Sequence, residues 1–93
     1  MTIGFCRLTL FLPNAGSLKS KRSVIKGLCA KTRRKFNVSV SEIDANDLWK
    51  KAVLGVAVVA NESAFANSVI SKVVNLLDSD HQIEVVDCTI EML

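Results

Sequence analysis

Eight cations, Lys19, Lys21, Arg22, Lys26, Lys31, Arg33, Arg34 and Lys35, crowd into residues 17–36, SLKSKRSVIKGLCAKTRRKF, a stretch with no acid in it. The chemistry such a set can do is neutralisation of a polyanion. Lys and Arg meet phosphates and release their counterions, which gives affinity and salt dependence but no choice of base sequence. A surface helix ordinarily mixes both signs, because Glu–Lys pairs four apart add roughly 0.2–0.5 kcal/mol each. This stretch has no such pair. A run of charge is most often only a solvated face; a run without one acid points to RNA or the ribosome as partner.

A second set lies just upstream. Asn14, Gly16 and Ser17 precede the basic segment, so free backbone N–H groups and the cations Lys19, Lys21 and Arg22 can converge on one anion. The plainer reading is a capped helix start, with the Ser17 hydroxyl accepting an N–H of the first turn. Catalytic chemistry finds no comparable set. His81 is the only histidine, and Asp78, Asp80 and His81 form a three-residue pattern without a fourth metal ligand nearby. No nucleophile stands beside a base, neither GxSxG nor a P-loop occurs, and tyrosine is absent. No enzyme activity, cofactor or metal is implied. The expected class is a non-enzymatic binding protein.

The charge is unevenly divided. The net value of +3 conceals nine Lys and Arg without an acid in residues 1–41, against three Lys and nine acids in residues 42–93. A field so split orients a polyanion towards one face. Cys6, Cys29 and Cys88 are odd in number, have no metal spacing and sit in apolar patterns, which reads as buried free thiols in a reducing compartment. No signal peptide and no run of membrane-spanning length is seen, so a cytoplasmic protein with no membrane partner is expected.

These residues must be positioned by elements that the patterning locates. Residues 2–12 alternate as a strand with both faces substantially apolar, and the turn Pro13-Asn14-Ala15-Gly16 ends it. In the basic helix Leu18, Ile25, Leu28, Cys29, Thr32 and Phe36 recur on one side. Arg22, Lys26, Arg33 and Lys19 form a stripe along one flank of that side, and Lys21, Lys31, Arg34 and Lys35 are assigned to the remaining circumference. Residues 37–44 read as a half-exposed edge strand, and residues 50–60 as a strand apolar on both faces, with Gly55 marking a close approach or a bulge. Asn61 is the expected cap of a second helix whose inner face is Ala66, Val69, Ile70, Val73, Leu76 and Leu77. Residues 82–93 close the chain as a strand with Val86, Cys88, Ile90 and Met92 on one face.

The order is β-α-β-β-α-β in one domain, residues 1–93. Right-handed crossovers then give an α+β ferredoxin-like sandwich, a four-stranded antiparallel sheet of order 4-1-3-2 with both helices on one face. The two strands placed centrally, first and third, are the two that read as apolar on both sides. On the open sheet face Phe5 and Phe11 could stack bases, but the third strand offers only Val53, Gly55, Ala57 and Val59 beside them. A covering second subunit is the more economical expectation, hence a homodimer through that face. Asp47 is expected to cap the turn after the second strand, with Leu48 and Trp49 closing the hairpin onto the domain edge; the alternative is an exposed Trp anchor.

Several stretches in register, the LxLxLP end of the first strand, SLKSKRxVIK, FNVSVSEID, DLWxxAxLG and the terminal EVVD, resemble the YlxP-like family of small bacterial proteins, a domain of unknown function. The resemblance covers essentially the whole chain. It implies a ferredoxin-like fold and a bacterial, translation-linked setting, and it supplies no catalytic residue. The leading expectation is an RNA- or ribosome-associated protein working through the basic helix. The alternative is a dimeric regulatory domain binding a small anion at Asn14, Gly16 and Ser17.

Overall fold

β1 (Thr2–Phe11) can sit in the middle of a sheet because both of its faces are substantially apolar, with Arg7 the one charged residue. In the computed structural model, which describes residues 1–93, Cys6, Leu8 and Leu10 are fully buried on the helix side of this strand. It pairs antiparallel with β3 (Lys51–Ala60) on one edge and with β4 (Glu84–Met92) on the other. β2 (Ser39–Asp44) pairs with β3 and completes the order β2-β3-β1-β4. Read from the other edge this is 4-1-3-2, the order expected from the patterning.

α1 (Leu18–Lys35) and α2 (Ser63–Asp78) pack on one side of that sheet. Ile25, Leu28 and Cys29 from α1 join Ala66, Ile70, Val73 and Leu77 from α2 in one core with Leu8, Leu10, Leu54, Val56 and Val58. α1 starts where a capping box allows it: the Ser20 N–H donates to the Ser17 hydroxyl at 3.0 Å, and the Ser17 N–H donates to the Ser20 hydroxyl at 3.3 Å. The cap of α2 differs from expectation. Glu62, rather than Asn61, occupies it, and its side chain makes no capping bond. The missing Cβ of Gly4 lets α2 close on β1, since a Cβ there would meet Ile70 Cδ1 at 2.9 Å and Ala66 Cβ at 3.2 Å.

β4 departs from its expected role. A bulge between Thr9 and Leu10 of β1 places Val85 opposite Leu10 and leaves Val86 as the extra, exposed residue. Cys88, Ile90 and Met92 stand opposite Leu8, Cys6 and Gly4 on the helix side. All three are nevertheless exposed, because α2 covers β1 and leaves the outer strand bare. Cys88 is therefore not a core thiol, whereas Cys6 and Cys29 are.

Candidate nucleic-acid interface

The basic helix divides its cations between the fold and the solvent. Lys21 belongs to the fold. It is 0% exposed, its ammonium lies 2.7 Å from Glu42 Oε2 of β2, and it donates to the Ala45 carbonyl at 2.7 Å. Its expected place on the binding surface is corrected by this geometry. Lys21 stands on the same helical line as Ile25, Leu28 and Thr32, at spacings of four, three and four, and those three, with Cys29, are the buried stripe of α1. That spacing was visible in the sequence and identifies Lys21 as an inward residue.

Two further cations are partly engaged. The Arg33 guanidinium donates to the Val40 carbonyl at 2.9 Å, tying the end of α1 to β2 while the residue stays exposed. Lys31 approaches Asp80 at 3.7 Å. Burial alone would raise the Asp80 carboxyl, but the backbone and side-chain hydrogen bonds from Gln82 outweigh it, with Lys31 and His81 adding to them, and the net displacement is downward. Asp80 is thus occupied with its own loop.

Lys19, Arg22, Lys26, Arg34 and Lys35 are exposed and make neither an ion pair nor a side-chain hydrogen bond. Lys19, Arg22 and Lys26 lie with Arg33 on one flank of α1, and Arg34 and Lys35 extend the charge round its C-terminal turn. The rest of the exposed surface of the helix is small, with Ser23 and Gly27. A Cβ on Gly27 would meet nothing within 4 Å, and its backbone is ordinary helix. Gly27→Ala is expected to raise stability by about 0.5–1 kcal/mol, the usual helix-interior penalty of glycine, read as a higher urea midpoint at unchanged slope.

The turn before α1 is committed to the helix it starts. The Ser17 hydroxyl serves the capping box, while Asn14 and Gly16 are exposed. A cleft of about 180 Å³, lined by Leu12, Asn14, Ala15, Ser20, Val24, His81 and Gln82, lies beside it.

The β2–β3 loop is held from three sides. Lys21 grips the Ala45 carbonyl, Asp44 Oδ1 accepts the Ala45 N–H at 2.7 Å, and the Lys50 ammonium donates to the Pro13 carbonyl at 2.7 Å. Asp44, not Asp47, is the capping carboxylate. The Ala45 N–H, and then the Arg7 guanidinium at 3.2 Å, hold its carboxyl below the usual range. Ala45 itself takes φ 60°, which a side chain adopts only where its surroundings insist. Leu48 is 51% and Trp49 53% exposed, so they do not close the hairpin onto the domain edge as expected.

On the open sheet face, a Cβ at Gly55 would meet the Phe5 ring at 3.2 Å and Ile43 at 3.1 Å. Phe5 thus lies over Gly55, half-buried, and is packed against the sheet instead of being offered to a base.

Residues 3–90 match the model of a family described as a protein of unknown function, DUF503. Over 82 residues the chain is 37% identical to a Bacillus subtilis (strain 168) protein described as uncharacterized protein YlxP, with 88% of this chain and 89% of that one covered.

Proposed function

From a chain that belongs to the DUF503 family, we propose a non-enzymatic RNA- or ribosome-associated binding protein that works through the exposed cations of α1, in the translation or ribosome-maturation setting that the YlxP-like resemblance implies. One observation carries the reading. The fold employs Arg7, Lys21 and Lys31 in its ion pairs and Arg33 in a backbone bond, yet Lys19, Arg22, Lys26, Arg34 and Lys35 remain exposed on one helix and form no ion pair. Concentrating like charge on a single helix raises the self-repulsion of the folded state, and a polyanion relieves it. Lysine and arginine contacts of this kind are made to phosphates, which carry no base preference.

Salt is the test. In a cell extract sedimented through a gradient, the protein is expected to travel with ribosomes or RNA at low ionic strength and to return to the top at moderate ionic strength, since each phosphate contact contributes about 0.7–0.9 to the log–log salt slope. Remaining at the top at low salt would reject the proposal. A second reading rests on Phe11, Ile43 and Val59, exposed on or beside the open sheet face: a second copy of the chain covers them. Light scattering across the same salt series separates the two, because apolar self-association is not weakened by added salt.

A further inference from the structure

Cys6 and Cys88 are 82 residues apart in sequence, yet their Sγ atoms lie 3.5 Å from each other. The sheet register brings them together. Cys6 faces Ile90 and Leu8 faces Cys88 across the β1–β4 pairing, so the two cysteines are diagonal neighbours on the helix side. Their surroundings differ sharply. Cys6 is 0% exposed beneath α2, and Cys88 is exposed on the outer strand.

We propose that Cys6 and Cys88 form a dithiol site for a hydroperoxide oxidant, with Cys88 as the reacting thiol and Cys6 as the resolving one. In the first step the Cys88 sulfur, as thiolate, attacks one oxygen of the peroxide. An S–O bond forms, the O–O bond breaks, and the departing hydroxide takes up the proton that the thiol lost. In the second step the Cys6 sulfur attacks the sulfur of the Cys88 sulfenic acid. The S–S bond forms, the S–O bond breaks, and the hydroxyl leaves as water with the Cys6 proton. The two thiols are oxidised to one disulfide, and hydrogen peroxide is reduced to two waters.

The order follows from access and acidity. Burial, and then the neighbouring Cys88 thiol, push Cys6 up to about 12, so it stays protonated and out of reach of the solvent oxidant. It becomes competent only when a sulfenic sulfur is presented within contact distance. Closing from 3.5 Å to a bond of about 2.05 Å asks the two sulfurs to approach by about 1.5 Å, with the uncovered outer strand β4 moving towards β1 to bring the diagonal pair within bridging distance. Cys29, buried on the inner face of α1 with Arg33 and Glu42 as its charged neighbours, takes no part. A bridge here staples the outer strand, which α2 leaves bare, to the centre of the sheet. In a reducing compartment such a bond is transient and reversible.

The test uses the full chain treated with one equivalent of hydrogen peroxide under native conditions. Titratable thiols are expected to fall from three to one, the intact mass to drop by two hydrogens, and a peptide map to join Cys6 to Cys88 within one chain. The oxidised chain should melt at a higher temperature than the reduced one. Cys88→Ser, at an exposed position, should abolish the bridge and leave Cys6 unoxidised, while Cys29→Ser should leave the bridge unchanged. Cys6→Ser should leave a Cys88 sulfenic acid that a 1,3-diketone traps; if that variant fails to fold, the map of the unsubstituted chain and the Cys88→Ser variant decide alone. A persistent Cys88 sulfenic acid in the unsubstituted chain, a bridge between two chains, or three intact thiols would each overturn the proposal.

Discussion

Lys21→Met is expected to destabilise the domain by about 3–5 kcal/mol, although Lys21 lies in a basic segment most of whose cations are exposed. The ammonium is fully buried, 2.7 Å from Glu42 Oε2 and 2.7 Å from the Ala45 carbonyl. Methionine keeps most of the volume and removes the charge, which leaves the Glu42 carboxylate, 16% exposed, without its counter-ion. Glu42 Oε2 has no other polar partner. The Ala45 carbonyl is orphaned as well, so the strained Ala45 turn and the loop that bears Leu48 and Trp49 should loosen. Removing both charges tells a different story. In Lys21→Met with Glu42→Leu, most of the loss should be recovered, because a buried pair costs nearly as much to desolvate as its attraction returns. Urea midpoints of the two single variants and the double variant measure the coupling. A single variant within about 0.5 kcal/mol of the unsubstituted chain would mean that the ammonium is solvated, contrary to the structure.

Reversing Lys19, Arg22 and Lys26 together to Glu is expected to abolish binding to RNA or ribosomes while leaving the fold intact. Arg33 is left out because it also holds the Val40 carbonyl. The three chosen residues are exposed and unpaired, so each change should alter stability by no more than about 0.5 kcal/mol. Lys19→Glu even suits the positive end of the helix dipole, since the first turn of α1 holds no acid. Binding responds in the opposite way. Three attractions become three repulsions along about 10 Å of helix axis, and the loss should be uniform across sequences, because phosphate contacts carry no base preference. A single Lys26→Ala should weaken binding modestly and reduce the salt slope by about one unit. Continued comigration of the folded triple variant with its nucleic-acid partner would show that this flank of α1 is merely solvated.

What the sequence determined by itself is local in origin. Alternation along β1 and β3, helical spacing in α1 and α2, and turn residues at Pro13–Gly16 specify the β-α-β-β-α-β order, because each pattern repeats within one element. Two-sided apolarity was enough to place β1 and β3 centrally, and Ser17 was legible as a cap because its partner Ser20 is three residues away. The buried line Lys21, Ile25, Leu28 and Thr32 was equally local, and the charge of Lys21 masked it. What no local pattern carried is the identity of partners across the sheet. Glu42 meets Lys21, Val40 takes a bond from Arg33, Asp80 engages Lys31, and Cys88 comes to Cys6 only through strand register and helix packing. The exposure of β4 has the same origin. Its residues alternate like those of a covered strand, but cover is a property of how far α2 reaches over its neighbours, and that distance is decided only when the helix packs against β1 across the gap that Gly4 leaves.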